Sequence, residues 1–449
     1  MAVNTSASYQ ADVPRLIAAE TLEVAQRFCV VHQFADKKSI DKHTGTNWTA
    51  TRFERLQLPL APVSEGIPPV SQQLPITQVT GTALQWAGRV EFTDVAVVTI
   101  QHDLLKEATT RLGMQLAELR ERNGFNALMA GTQVNYSDSK GSRAALVAAD
   151  TLKPADVNRT YTNLEVLGAP AWSGQTGETV QRSIDYNPRQ SEKGPWNTEH
   201  YVGVGDPRPL ADLASDPTVV QAWSYSDVTR LYINEVGYWR GMHFCKSNLV
   251  PTFTGVAAVT ATGAGTGGNL AVGTYAVQVT GWDIQNQYES RIYQVQTAVG
   301  VTAGQNITLT TPNTPGFTYA VYVSQAGSTA VLNLGTSAQG PTTGPYTGQA
   351  ISLPPNTAVT INGVGLFQVP PAAPATGVVV YPTFFFGQRS FASLKLEDVS
   401  WNRLFEADKS DPHNQRRVIG WKAMEGWVIL NQQFLARLET CASNSGAWG

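Results

Sequence analysis

Cysteine is nearly absent. The chain carries three, Cys29, Cys245 and Cys441, in 449 residues. They are odd in number and far apart, so neither a disulfide framework nor a cysteine metal motif can be built, and a chain folded in a reducing cytoplasm is expected. Histidine is thin as well: six residues, scattered, with no HExxH or other metal spacing. No metal and no cofactor are expected. Basic excess is lacking too. Lys+Arg number 32 against Asp+Glu 35, a net charge of −3, whereas proteins that grip nucleic acid usually carry a positive surplus. No run of about 18 apolar residues occurs, so no membrane partner is expected. The first residues, "MAVNTSASYQADVP", hold no apolar signal-peptide core. Finally, no lysine lies between Lys42 and Lys106.

What is present divides into two materials. Between Thr252 and Gln388 only Asp283, Glu289 and Arg291 are charged. That stretch is rich in Thr, Val and Gly, and it alternates. Tyr275, Val277 and Val279 share one face, as do Ile307 with Leu309, and Phe317, Tyr319, Val321 and Val323. Period-two apolar spacing between turn residues predicts a β-sandwich. "GTYAVQVTGWDIQNQYES" and "GFTYAVYVSQAG" resemble fibronectin type III or immunoglobulin-like modules. The Gly- and Pro-rich borders, "TATGAGTGGNLAVG" and "VPPAAPATG", read as flexible linkers, so residues 252–376 are expected to be an inserted domain held by two short tethers.

The remainder is helical and mixed. With 449 residues and 42% hydrophobic composition, two or more domains are expected. "HDLLKEATTRLGMQLAELRERNGFNALMAG" places Leu105, Ala108, Leu112, Leu116 and Leu119 on one stripe, with Asp103 to cap its start and Gly131 to end it. Helices are also expected over "VPRLIAAETLEVAQRFCVVHQF" and "DVTRLYINEVGY", and one last strand over "GWVILNQQFLARLE". Thr49 to Ile100 is proline-rich without helical period and predicts a long β-hairpin. A two-stranded hairpin is marginal alone, so it should lie on another molecule.

Catalytic motifs are not convincing. "GAGTGG" at Gly263–Gly268 matches a dinucleotide loop, but a strand pattern follows it rather than a helix. Asp411 and His413 open a polar run after Pro412, which reads as a solvated turn. Arg416–Arg417 reads either as a phosphate contact or as an ion pair with a neighbouring subunit. The alternating aromatics of the insert read as core, and Trp282, beside the turn "DIQNQ", as a surface-ligand contact.

Four pieces resemble the major capsid proteins of tailed double-stranded DNA phages, in the branch typified by the coliphage N-four capsid protein. "APVSEGIPPVSQQLPITQVTGTALQWAGRVEFTDVA" is similar to that family's extended loop, and "LLKEATTRLGMQLAE" to its spine helix. "YVGVGDPRPLADLASDPT" and "NEVGYWRGMHFCKSNLVP" are similar to its central region. "SDPHNQRRVIGWKAMEGWVILNQQFLARLE" is similar to its C-terminal signature through Asp411, Pro412, Gln415, Arg416, Gly420, Trp421 and Lys422. The resemblance stops at the insert.

The resemblance implies an α+β protein with the Hong Kong 97-type capsid fold, an extended β-hairpin loop and a long spine helix, plus the inserted all-β sandwich. The expected division is 1–48, N-terminal arm and helix; 49–100, extended loop; 101–251 and 377–449, capsid core with peripheral and axial domains; 252–376, insert. The implied function is structural rather than enzymatic. The chain would self-assemble through hexamers and pentamers into an icosahedral shell around the double-stranded DNA genome, in the bacterial host cytoplasm, ending in the virion capsid. Portal and scaffolding proteins, DNA held non-specifically, and a cement protein are the implied further partners. Ile67, Val70, Leu74 and Ile76 of the loop, with Arg416 and Arg417, are the candidate subunit contacts. Without a loop lysine, covalent crosslinking of neighbours through the loop is not expected. The alternative is a carbohydrate- or protein-binding module displayed by the β-sandwich.

Overall fold

The computed structural model describes residues 29–54, 56–58, 71–93, 104–172, 200–219, 234–268, 270–285, 288–324, 353–361, 373–404 and 416–444. These fall into two compact units. One takes in the described residues of Trp86–Leu116 and Val399–Ala423, the other those of Arg27–Gln85, Ala117–Asp398 and Met424–Gly449.

Along the chain come a helical turn (Val31–Phe34), β1 (Asp36–Ser39), β2 (Asn47–Phe53), β3 (Ile76–Thr82), β4 (Leu84–Thr93), α1 (Leu104–Met129) and β5 (Val134–Tyr136). Next are α2 (Pro154–Val166), β6 (Tyr201–Gly205), α3 (Pro207–Ser215), β7 (Glu235–Trp239) and β8 (Met242–Lys246). Then follow β9 (Phe253–Val256), β10 (Ala261–Ala264), β11 (Gly273–Asp283), β12 (Tyr288–Tyr293), β13 (Gln296–Val301), β14 (Asn306–Thr310), β15 (Phe317–Val323) and β16 (Ala358–Ile361). β17 (Val379–Phe386), β18 (Phe391–Leu404), β19 (Arg416–Ile429) and β20 (Leu435–Thr440) complete the set.

In the smaller unit, α1 buries Ala108, Leu112 and Leu116 along the expected stripe. Trp421 on β19 donates its indole N–H to Gln115 Oε1 at 3.3 Å. Gly88 on β4 makes that approach possible, since a Cβ there would stand 2.8 Å from Trp421 Nε1.

The larger unit is organised by β17. Its "VVYPTFFF" is apolar almost throughout, as a strand covered on both faces requires. β20 and β6 flank it, both antiparallel. Phe384 and Phe386 enter one core with Phe34, Phe125, Leu128 and Leu435. Phe385, on the opposite face, enters a second core with Val157 and Leu164 of α2 and Leu210 and Leu213 of α3. The sheet is thus a middle layer with helices on both sides. Beside β17, Gly203 of β6 is a contact glycine: a Cβ would lie 2.8 Å from the Phe385 ring.

A fully buried ionic triad ties the C-terminal strand into this unit. Arg143 grips Glu439 bidentately, Nε to Oε2 at 2.7 Å and Nη2 to Oε1 at 2.6 Å. Arg437 Nε stands 3.1 Å from Glu439 Oε1, and its Nη1 donates to the Met129 carbonyl at 2.6 Å. The Arg143 guanidinium also lies 4.0 Å from the Phe253 ring centroid. Burial alone would raise Glu439, but Arg143 and Arg437 hold it below the usual carboxylate range.

Several expectations change. The helix predicted over "DVTRLYINEVGY" is not what its second half forms. Glu235–Trp239 is a strand folded back on β8, with Arg240 (φ 44°) and Gly241 (φ 80°) as the two turn residues. A two-residue loop with both φ positive matches strand twist, and this local hairpin overrides the weak helical pattern. Residues 227–233 lie outside the described residues. The last strand is two strands: β19 ends at Ile429, and a 3₁₀ turn at Gln432–Phe434, capped by Asn431, turns the chain into β20. Of the predicted N-terminal helix only the Val31–Phe34 turn is described.

The described residues of 252–376 form two sheets over one apolar core. β15, β11, β12 and β13 make one sheet, and β10, β14 and β16 the other. Tyr275, Val277, Val279, Ile307, Leu309, Tyr319 and Val321 are buried together between them. The described parts of its borders are held in place rather than free. β12 pairs in parallel with β9, and β9 pairs with β17, so one hydrogen-bonded path runs from this segment into the host sheet. Phe253, Ile292 and Ala373 sit in the same core as Phe384 and Phe386. Gly255 donates to Val378 O at 2.9 Å and accepts from Gly377 N at 3.0 Å. A Cβ on Gly255 would come within 2.6 Å of Pro374 O, so this glycine serves close approach rather than flexibility. The upstream "linker" itself holds β10, paired with β14, and the buried Leu270. Apolar β-formers on both flanks, "FTGV" and "VVVY", explain why the borders join the sheet.

Candidate assembly surface

The hairpin β2–β3 is the most unusual surface among the described residues. Its register runs from Asn47 opposite Thr82 to Phe53 opposite Ile76. The pleat gives it two faces. On one, Trp48 and Val79 pack on Ile40, Ala83, Ala392, Leu394 and Val428. Gly81 lies on that face, and a Cβ there would meet Leu394 Cδ1 at 2.6 Å and Val428 Cβ at 2.8 Å. The hairpin base is therefore anchored. The other face carries Asn47, Thr49, Thr51 and Phe53 beside Thr82, Thr80, Gln78 and Ile76. Thr82 Oγ1 donates to Asn47 Oδ1 at 2.9 Å, which stiffens it.

Pairing continues past the strands. Glu54 N donates to Pro75 O, and Gln72 Nε2 to Gln57 O, both at 3.0 Å. Around this end, apolar side chains stand in solvent: Phe53 62% exposed, Leu56 53%, Leu58 84%, Leu74 48% and Ile76 57%. Five exposed apolar side chains on one strand pair and its extension form the largest such group among the described residues. Its charge is slight and internally matched. Arg52 Nη2 lies 2.7 Å from Glu54 Oε1, and that contact holds Glu54 below the usual carboxylate range.

Of the candidate contacts, Leu74 and Ile76 are on this surface. Ile67 and Val70 lie outside the described residues, as do Asp411 and His413. Arg416 opens β19, and Arg417 beside it is partly buried. Trp282 is partly buried at a β-bulge, opposite Glu289 on β12 and Thr318 on β15. Phe53, Leu56 and Leu58 were not singled out from the sequence. The alternation of "LQLPL" is the signal that contained Leu56 and Leu58, whereas Phe53 falls outside it.

Buried polar clusters also occur elsewhere among the described residues. Buried His243 Nδ1 lies 2.5 Å from Glu235 Oε1 across the β7–β8 hairpin. Buried Glu289 accepts from Thr280 Oγ1 at 3.0 Å and from the Tyr322 hydroxyl at 2.5 Å. Among the described residues no group of three or more His, Cys, Asp or Glu is placed to hold a metal ion. No described helix is long and apolar enough to cross a membrane.

No family model and no curated protein matches this chain. Solved structures do, over nearly the whole length. The fold is that of phage capsid subunits, of the Hong Kong 97 type. In particular, the chain is similar to the capsid asymmetric unit of cyanophage Pam1, at 11% identity and TM-score 0.53, covering 97% of this chain and 98% of that one. It is similar to the capsid of Ralstonia phage GP4, at 11% identity and TM-score 0.51, covering 97% of each. The capsid of cyanophage P-SCSP1u matches at 12% identity and TM-score 0.50, covering 96% of this chain and 94% of that one.

Proposed function

We propose that this chain is a major capsid protein, a structural subunit that assembles with copies of itself into the icosahedral shell of a tailed phage. The observation that carries this reading is the end-to-end likeness to capsid subunits, with 97% of this chain and 98% of the Pam1 chain aligned. The hairpin supports it. An anchored base with an apolar, nearly uncharged outer half suits a limb that a neighbouring copy covers. The chain acts by surface complementarity rather than by catalysis. Hexamers and pentamers are its assembly units, and the virion capsid is its final place, reached from the host cytoplasm.

Portal and scaffolding proteins, and a cement protein, are further partners on this reading. The packaged double-stranded DNA touches the shell non-specifically. A net charge of −3 suits a container, because tight phosphate contacts would oppose packaging and release. The 252–376 segment faces outward and braces neighbours or meets host-surface glycans. Its near lack of charge, with only Asp283, Glu289 and Arg291 between Thr252 and Gln388, supports a place away from DNA.

Electron microscopy of the purified protein tests the proposal. Closed shells are expected. Monomers that never associate, at any concentration or salt, would refute it.

A further inference from the structure

Glu121 lies on α1 fully buried, and its carboxylate faces backbone amides. Oε1 accepts from Val30 N at 2.8 Å; from Val31 N, Oε1 and Oε2 accept at 3.1 and 2.9 Å. Oε1 also accepts from Ser247 Oγ, just after β8, at 3.2 Å. One side chain thus fastens the segment before β1 to the long helix. Gly124 lets the segment lie close, since a Cβ there would stand 3.1 Å from Val31 Cγ1. Downstream, β1 is secured separately by parallel pairing with β18.

We propose that Glu121 is a proton-operated clasp, whose protonation state sets how readily residues 29–34 lift from α1 while α1 and β1 stay in place. Few other groups around it change charge near neutrality. From α1 come Glu118, Arg120 and Arg122; from the clasped segment, Cys29 and His32; from β1, Lys37; from β19, Glu425, which accepts from Arg120 Nε at 2.8 Å. Burial pushes the Cys29 thiol up to about 12, so it stays neutral. Burial, then Arg120 and Lys37, pulls His32 below its ordinary value.

Burial raises Glu121 from 4.5 to about 7, against the pull of its amide and hydroxyl donors. The closed clasp therefore binds the proton more tightly than the lifted segment does. Closure is fully favoured below 4.5 and weakens as pH rises toward about 7. Opening should grow about tenfold per pH unit within that window, roughly a hundred-fold in all. His32 works in the opposite sense, favouring opening as pH falls.

Hydrogen exchange of the full-length chain between pH 5 and 8, corrected for intrinsic rates, tests this. Peptides covering residues 29–35 should lose protection roughly a hundred-fold as pH rises, while α1 and β18 peptides keep theirs. Glu121→Gln should flatten or reverse that slope. Ser247→Ala, which removes a donor to the carboxylate, should move the window to higher pH and serves if the glutamine variant does not fold. An unchanged slope in Glu121→Gln, an unmoved window in Ser247→Ala, or parallel loss of protection in α1 would overturn the clasp.

Discussion

Phe53 and Ile76 stand directly opposite each other across the β2–β3 hairpin, 62% and 57% exposed. A cross-strand apolar pair in solvent adds little to the subunit that carries it. Fully covered, each such side chain would contribute about 1.5–3 kcal/mol. The double substitution Phe53→Asp, Ile76→Asp loses a cross-strand pair and sets like charges opposite, which should cost the subunit about 1–2 kcal/mol without unfolding it, yet suppress shell formation. Thermal melting and light scattering of the same sample separate the two effects. Normal shells would show that this pair is not a subunit contact.

Gly81 fixes where that hairpin lies. Gly81→Val places methyls where Leu394 and Val428 already stand, at 2.6 and 2.8 Å from a Cβ. Overpacking of this kind costs typically about 1–3 kcal/mol. Denaturant unfolding should show that loss, and Gly81→Ala a smaller one. An unchanged midpoint would mean that the hairpin base is not anchored as described.

Glu439 makes stability acid-sensitive. Its folded value is held below the ordinary 4.5, so its contribution is complete above that pH and is lost as pH falls through the folded value. Glu439→Gln leaves Arg143 and Arg437 uncompensated in a dry site and should cost about 3–5 kcal/mol near neutrality. Below 4.5 the variant and the parent should converge. Equal stability at pH 7 would contradict the triad's role.

Excising residues 254–376 should damage the larger unit, because Ile292 and Ala373 fill its core and β9 pairs with β17. A narrower excision of 257–290 and 295–372, leaving β9, Ile292 and Ala373 joined by short linkers, should be tolerated better. Solubility and melting temperature of the two deletions decide the matter. Equal tolerance of both would favour a self-contained insert on loose tethers.

How much of this was legible follows from the range of each interaction. The α1 stripe was readable because Ala108, Leu112 and Leu116 recur at helical spacing. The hairpin expected over Thr49–Ile100 was legible only in part: β2 and β3 pair between Asn47 and Thr82, whereas Leu84–Thr93 forms β4, the neighbour of β19 in another sheet. β7 was misread because five residues of "EVGYW" carry too little period to outvote a helical neighbourhood, and Gly241 was the missed turn signal. The triad was invisible, because Arg143 and Glu439 are 296 positions apart and only the folded sheet brings them together. Glu121 was likewise hidden, since a buried glutamate on a helix looks like any solvated one until its amide donors, 90 and 91 positions away, are in place.

β20 has a bearing on how the chain is made. It is the strand that completes β17 and both of its cores, through Leu435 on one face and Ala436 and Leu438 on the other. Everything it seals is synthesised earlier. A nascent chain on the ribosome therefore carries an open, sticky sheet until residues 435–441 have left the exit tunnel, and the larger unit folds late. Such long-range closure is slow.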